Sequence, residues 1–246
     1  MGNLVKDRHF VVRVTLEFKA IPGFVTQLAG IGEEIFRMGF FAHWNSNAIR
    51  FDFLSQDNRV EFAVSHTTVS FIARSESDWK DWRENFIAMA GKALNGYKSI
   101  ESLAVKFARE DFLNVGMTFE EMVVLGFDSM LTESSKILED ANDWMVSLSK
   151  RDENNREEKI SVGPLNTEMG VRQLKIAAAV SKLTEPAWGT NLSNLLAKVS
   201  GDRLWVLSEI TTGDVNKHDV ERVLVQAEET VERLVNQAVK RFTHVI

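Results

Sequence analysis

Five histidines, His9, His43, His66, His218 and His244, are the side chains of this sequence whose ordinary pKa lies near neutrality, and there is no cysteine. The pairing that could do chemistry is His43 with Asp52. If the two lie on adjacent strands, an imidazole meets a carboxylate, the beginning of a metal-assisted hydrolytic or nuclease site. His66 falls at the expected tip of a hairpin. His43, Asp52 and His66 are therefore the catalytic candidates, each set against the ordinary role of a hydrogen-bonded surface or turn residue. Doubled carboxylates (Glu33/Glu34, Glu120/Glu121, Glu157/Glu158, Glu228/Glu229) are frequent. Neighbours on a helix point about 100° apart, so adjacency alone makes no acid–base pair. Asp140 and Asp143 have one-face spacing but sit on the expected solvent side beside Trp144.

The phosphate and nucleophile motifs are missing. No GxxxxGK[ST] loop, GxGxxG turn, GxSxG elbow or HExxH pair occurs. Gly30-Ile-Gly32 reads as close helix packing. Whether the chain is an enzyme stays open, and neither a cofactor nor a metal is expected. Trp44, Trp79, Trp82 and Phe86 could frame a pocket or interaction surface, although their spacing equally suits a helix covering a sheet. A basic stripe for nucleic acid would need Arg13, Lys19, Arg50, Lys106 and Arg109 on one face. Strand parity is read as placing Lys106 and Arg109 outward, while Glu17, Asp52 and Glu61 dilute the field.

These residues depend on the elements that carry them. Phe10, Val12, Val14, Leu16 and Phe18 alternate with Arg13, Thr15 and Glu17, a strand with one buried face. Phe24, Leu28, Ile31, Ile35 and Met38 recur at helical spacing. Ile49, Phe51 and Phe53 form the next strand; Gln56-Asp57-Asn58 is its turn. The apolar parity switches between Val60–Val64 and Val69–Phe71, which predicts a hairpin through Ser65-His66-Thr67-Thr68. Ser77 or Asp78 caps a helix with Trp79, Trp82, Phe86, Met89 and Ala93 inward, and Leu103, Val105 and Phe107 make another strand. The pattern is β-α-β-β-β-α-β, with antiparallel hairpins unlike a doubly wound nucleotide fold.

Further along, residues 118–127 read as a short helix or an apolar bridge, and Glu133 to Ser149 as a helix with Ile137, Ala141, Trp144, Met145 and Leu148 inward. Lys150 to Lys159 has eight charged residues in ten and reads as a mobile loop. Leu174, Ile176, Ala178 and Val180 alternate, Leu192 to Val199 suggest a helix, and Leu204 and Val206 a strand. Val220, Val223, Leu224, Ala227, Val231, Leu234, Val235, Ala238 and Phe242 line one face of a long terminal helix, packed on its own sheet or on a partner. The expected fold class is α+β: a mainly antiparallel sheet, or two related sheets, covered by helices. The expected units are 1–115 (α+β), 116–159 (helical connector and charged loop) and 160–246 (α+β), the last able to pack as one domain with the first. Element order also allows a pseudo-duplication.

The 246 residues are 44% apolar and 26% charged, with a net charge of -6, enough to build a core without staples and unsuited to general polyanion binding. Lack of cysteine excludes disulfides, thiol catalysis and Cys-containing zinc sites. The opening residues do not resemble a signal peptide and no long uncharged apolar window occurs, so the expectation is a cytoplasmic protein without a membrane partner.

The run Phe71-Ile-Ala-Arg-Ser-Glu-Ser-Asp-Trp79-Lys-Asp-Trp82-Arg-Glu-Asn-Phe86, with the strand Leu103–Asn114 and the terminal helix 221–243, resembles a sporadically distributed family of uncharacterised bacterial proteins of similar length. That family has a Trp-led helix after a hairpin, a strand ending in an Arg-Tyr-Ile-Asn-like run, and a long C-terminal helix with a late Ala-Phe. Here the run is replaced by Arg109-Glu-Asp-Phe-Leu-Asn114. The resemblance implies fold elements and no activity. The leading expectation is a non-enzymatic bacterial interaction or regulatory protein with a protein partner or a second copy of itself. The metal-assisted hydrolase or nuclease is one alternative, and a ligand- or nucleic-acid-binding module another.

Overall fold

A computed structural model describes residues 7–19, 40–45, 50–55, 60–96, 100–130, 144–153, 155–166 and 200–243, with isolated positions at 5, 32–33, 35–37 and 168–169. Its centre is an antiparallel sheet built from β1 (Asp7–Glu17), β2 (Phe40–Asn45), β3 (Arg50–Ser55), β4 (Val60–Ser65), β5 (Thr68–Ala73), β6 (Ser102–Asn114), β7 (Val146–Arg151), β8 (Arg156–Leu165) and β9 (Arg203–Asn216). The helices are α1 (Glu76–Gly96), α2 (Phe119–Met130) and α3 (Val220–Thr243), the last entered through a 3-10 turn at Lys217–Asp219. The fold is α+β with a mainly antiparallel sheet, as the alternating segments predict.

Strand order is β2-β3-β4-β5-β1-β6-β9-β8-β7. Outward from the central β1–β6 pair, both halves follow one plan. The half's first strand lies at the centre, and the last strand of a meander returns beside it: β5 next to β1, β9 next to β6. Helical residues at 32–33 and 35–37 follow β1, as α2 follows β6; α1 follows β5, as α3 follows β9. β1 and β6 pair along their whole lengths, from Asp7↔Asn114 to Glu17↔Ala104.

Alternation decides which side chains meet the helices. Phe10, Val12, Val14 and Leu16 of β1, Phe71 of β5, Phe107 of β6 and Val206 and Ile210 of β9 are buried on one face. α1 and α3 join the same core: Trp79, Phe86 and Met89 from the first, Leu224, Ala227, Val231 and Val235 from the second. Phe86 packs on Phe71 at 5.0 Å and Phe62 at 6.0 Å between ring centroids. The opposite face has its own small apolar cluster, Phe112, Leu165 and Trp205 with Val11, Met169 and Leu207 around them.

Several sequence readings change. α1 is capped by Ser75, whose Oγ accepts from the Asp78 N–H at 3.1 Å, two or three residues earlier than Ser77 or Asp78 would place it. The strand β2 adds to the predicted order. α2 resolves as a helix through a reciprocal capping box: the Glu121 N–H donates to Thr118 Oγ1 (3.2 Å) and the Thr118 N–H to Glu121 Oε2 (2.8 Å). Of the helix read over Glu133–Ser149, residues 133–143 lie outside the described residues and Val146–Ser149 belong to β7, with Met145 67% and Leu148 60% exposed. The charged run Lys150–Lys159 is a hairpin, not a mobile loop. Asn155 takes the left-handed turn conformation at φ 56°, which Asn tolerates, and Arg151–Glu157 (3.0 Å) and Lys159–Glu209 (3.0 Å) pair across strands. Half-exposed antiparallel strands do not have to bury their charges. Arg109 is buried on the helix side: it shares the parity of Val105 and Phe107, not of Lys106. Most of the 24–38 helix, the 56–58 turn, residues 173–181 and 192–199, and the Phe242 side chain lie outside the described residues.

Candidate functional site

The face of β1, β3, β4 and β5 turned away from the helices forms a concavity of about 150 Å³. Strand register assembles its lining in two rows. Asp52 pairs with Ala63, Ala63 with Ser70, and Ser70 with Thr15; beside them Glu61 pairs with Ile72 and Ile72 with Arg13. Arg50 lines the same hollow. Each of these positions alternates with a core residue (Arg13 between Val12 and Val14, Ser70 between Val69 and Phe71), so the packing that buries one face fixes the lining of the other.

Its charges are mostly matched. Arg50 Nε lies 2.8 Å from Asp52 Oδ1, and Arg74, just beyond β5, forms an ion pair with Glu61. Burial pushes the Arg74 guanidinium down to about 10, so it keeps its charge at neutral pH. Arg13 makes no ion pair among the described residues. Its charge acts on Glu110, whose carboxyl is raised by burial against the hydrogen bond from Trp205 Nε1 (2.7 Å) and the attraction of Arg13. The hydroxyls of Thr15 and Ser70 add neutral donors and acceptors, and Ala63 and Ile72 an apolar floor.

The residues singled out from the sequence are dispersed. Asp52 lines the concavity and is buried. His43 is its direct register partner across β2 and β3, as adjacent strands require, while the side chains of His43 and Trp44 lie outside the described residues. His66 sits at the β4–β5 turn, which Ser65 closes by accepting from the N–H groups of Thr67 (3.2 Å) and Thr68 (2.9 Å). Trp79 is buried under α1, 5.6 Å from Phe107, and donates to Glu228 of α3 at 2.9 Å. Trp82 is half-buried, edge-on to Phe40 at 5.0 Å. Both tryptophans and Arg109 are on the helix side, behind the concavity. Thr15, Glu61 and Ser70 are not among the site candidates of the sequence, and Arg13 enters there only as one member of the possible basic stripe. Their polar positions on alternating strands were legible, but not the register that brings four strands to one hollow.

Among the described residues no group of three or more His, Asp or Glu side chains is placed to hold a metal. The basic residues considered for nucleic acid divide. Arg13, Arg50 and Lys106 share the open face and Arg109 does not, while Lys106 is neutralised by Glu17 at 2.7 Å. Among the described residues no helix is long and apolar enough to cross a membrane.

No family model and no curated protein matches the sequence. Among solved structures, Methanococcus jannaschii TBP matches at 13% identity and a TM-score of 0.29, over 92% of this chain and 96% of that chain. At that score the likeness carries no argument. What the chain does share with the resemblance read from its sequence is structural: a Trp-containing helix after a β-hairpin and a long C-terminal helix.

Proposed function

We propose that this chain is a binding module, not a catalyst, and that it takes a small polar ligand in the concavity of β1, β3, β4 and β5. The observation that carries the reading is Arg13, a cation with no ion pair among the described residues, set beside the Thr15 and Ser70 hydroxyls in a hollow large enough for one small molecule. Ligand pockets combine an apolar lining with a few convergent polar groups, and this hollow has both. The regulatory role expected from the sequence fits a module whose stability responds to a ligand. Nucleic acid is less well served, since the neighbouring cations Arg50 and Lys106 already face carboxylates. A protein partner or second copy is the other reading, favoured by exposed Val124, Met145 and Leu148.

Thermal unfolding of the purified chain in a panel of small anions, cations, zwitterions and polyols tests the ligand reading. A ligand at about 100 times its Kd adds about 2.7 kcal/mol of stability, readily seen as a rise in Tm. The expected result is a rise with some member of the panel that Arg13→Ala abolishes. A flat response across the panel at millimolar concentrations would defeat the proposal.

A further inference from the structure

Resting on that reading, we infer that the ligand is a small monocarboxylate with a short, partly hydroxylated carbon body. Charge comes first. Arg50 is balanced by Asp52, and Glu61 by Arg74 from just outside the lining, which leaves Arg13 as the lining cation with no ion pair among the described residues. A single cation without an ion pair suits a monoanion. A dianion would bring its second charge against Asp52 and Glu61, and a cation would meet Arg13. Geometry comes next. A guanidinium presents two parallel N–H donors, the fork that a carboxylate accepts in bidentate fashion.

Size and lining settle the body. A cavity of about 150 Å³ is known to hold a six-carbon ring, so the 150 Å³ here takes a ligand of about six non-hydrogen atoms. Ala63 and Ile72 offer apolar contact to two or three carbons. Thr15 and Ser70, direct register partners on neighbouring strands, offer hydroxyls to a polar substituent. Glu110, whose carboxyl Trp205 engages at 2.7 Å, is the acidic group that opposes anion binding at Arg13.

The test titrates the full chain with lactate, with lactamide as its neutral isostere, and with inorganic phosphate as a dianion at mildly alkaline pH. Calorimetry gives the affinities, and the backbone amide resonances of Arg13, Thr15 and Ser70 report the site. Lactate should bind at least about tenfold more tightly than lactamide or phosphate, the range expected of a charge-assisted hydrogen bond. Arg13→Ala should lose at least about tenfold in lactate affinity while keeping the unfolding midpoint close to that of the parent. Thr15→Val gives an independent check through a smaller loss. Equal binding of lactate and lactamide, or tighter binding of phosphate, would overturn the monocarboxylate while leaving the binding module intact. If none of the three probes, nor any polyol, amine or zwitterion, moves those resonances, the module reading falls with it.

Discussion

Three charged side chains occupy strand positions where alternation would put apolar ones. Arg8 of β1 and Arg109 and Asp111 of β6 point to the helix side, where they meet Glu232 of α3. Arg8 and Arg109 each donate to both carboxylates, Arg8 to Asp111 at 2.7 Å and Arg109 to Glu232 at 2.7 Å, and both guanidiniums lie over the Phe10 ring. The set is neutral overall, which is what allows Asp111 to sit at 0% exposure. Burial pushes the Asp111 carboxyl up against the pull of both arginines. Asp111→Asn would leave two guanidiniums with Glu232 as their one remaining shared anion, and should cost about 3–5 kcal/mol in denaturant unfolding. Glu232 behaves differently. Partial burial works against its charge, yet hydrogen bonds from Arg8 and Arg109 outweigh that and hold it at about 2, below the ordinary 4.5. Because its folded pKa is depressed, its contribution is complete above about 4.5 and fades as pH falls towards 2. The stability gap between the parent and Glu232→Gln should therefore narrow over that window. A gap that stays constant down to the lower limit would show that the carboxylate charge is not what holds α3.

At the scale of elements, α1 separates an anchor from its surroundings. Trp79 is buried against Phe71 and Phe107 and tied to Glu228, whereas Lys80 is exposed and pairs with Glu76 one turn away. Trp79→Ala should cost about 3–5 kcal/mol, and Lys80→Ala under about 0.5 kcal/mol, by chemical denaturation. Half-buried Trp82 should fall between the two. α2 depends on a close approach instead: a Cβ at Gly126 would come within 2.0 Å of the Trp144 ring, which donates from Nε1 to the Met122 carbonyl at 3.2 Å. Gly126→Ala must displace that ring, with an expected cost of about 1–3 kcal/mol and a red-shifted tryptophan emission. The sequence announced α1 and α3 through their apolar stripes, and β1, β4 and β5 through alternation. α2 was equally announced by Thr118 and Glu121, a capping pair that goes unseen when hydrophobic period alone is read. The charge density of Lys150–Lys159 suggests a loop, whereas cross-strand pairing and a left-handed Asn155 make a hairpin of it. The charge of Arg109 suggests an outward side chain where its parity with Val105 and Phe107 places it inward, and the concavity depends on register, a property of pairs of strands that a single strand's pattern does not contain.

Over the whole molecule, the continuity of the sheet governs how the chain can come apart. The expected units at 1–115, 116–159 and 160–246, the last able to pack as one domain with the first, meet along the sheet: β6 pairs with β9 from Ser102↔Asn216 to Leu113↔Leu204. α3 packs across β6 and β9, and Arg8 reaches Glu232, more than two hundred residues away in sequence. An isolated 1–115 segment would expose the edge of β6 and leave Asp111 and Arg109 without Glu232, a bare strand edge and a broken ion network together. We therefore propose that the three units unfold as one. Far-ultraviolet circular dichroism follows the sheet and helices, and tryptophan emission follows six tryptophans spread along the chain, among them Trp79, Trp82, Trp144 and Trp205. In denaturant the two signals should trace a single superimposable transition, as two-state unfolding requires. A lactate-type ligand bound on the β1–β5 half should then raise the midpoint of both signals equally, although Trp144 and Trp205 belong to the other half. Two separated transitions, with only the first moved by ligand, would show that the halves are independent and that the β1–β6 pairing joins them without making them cooperative.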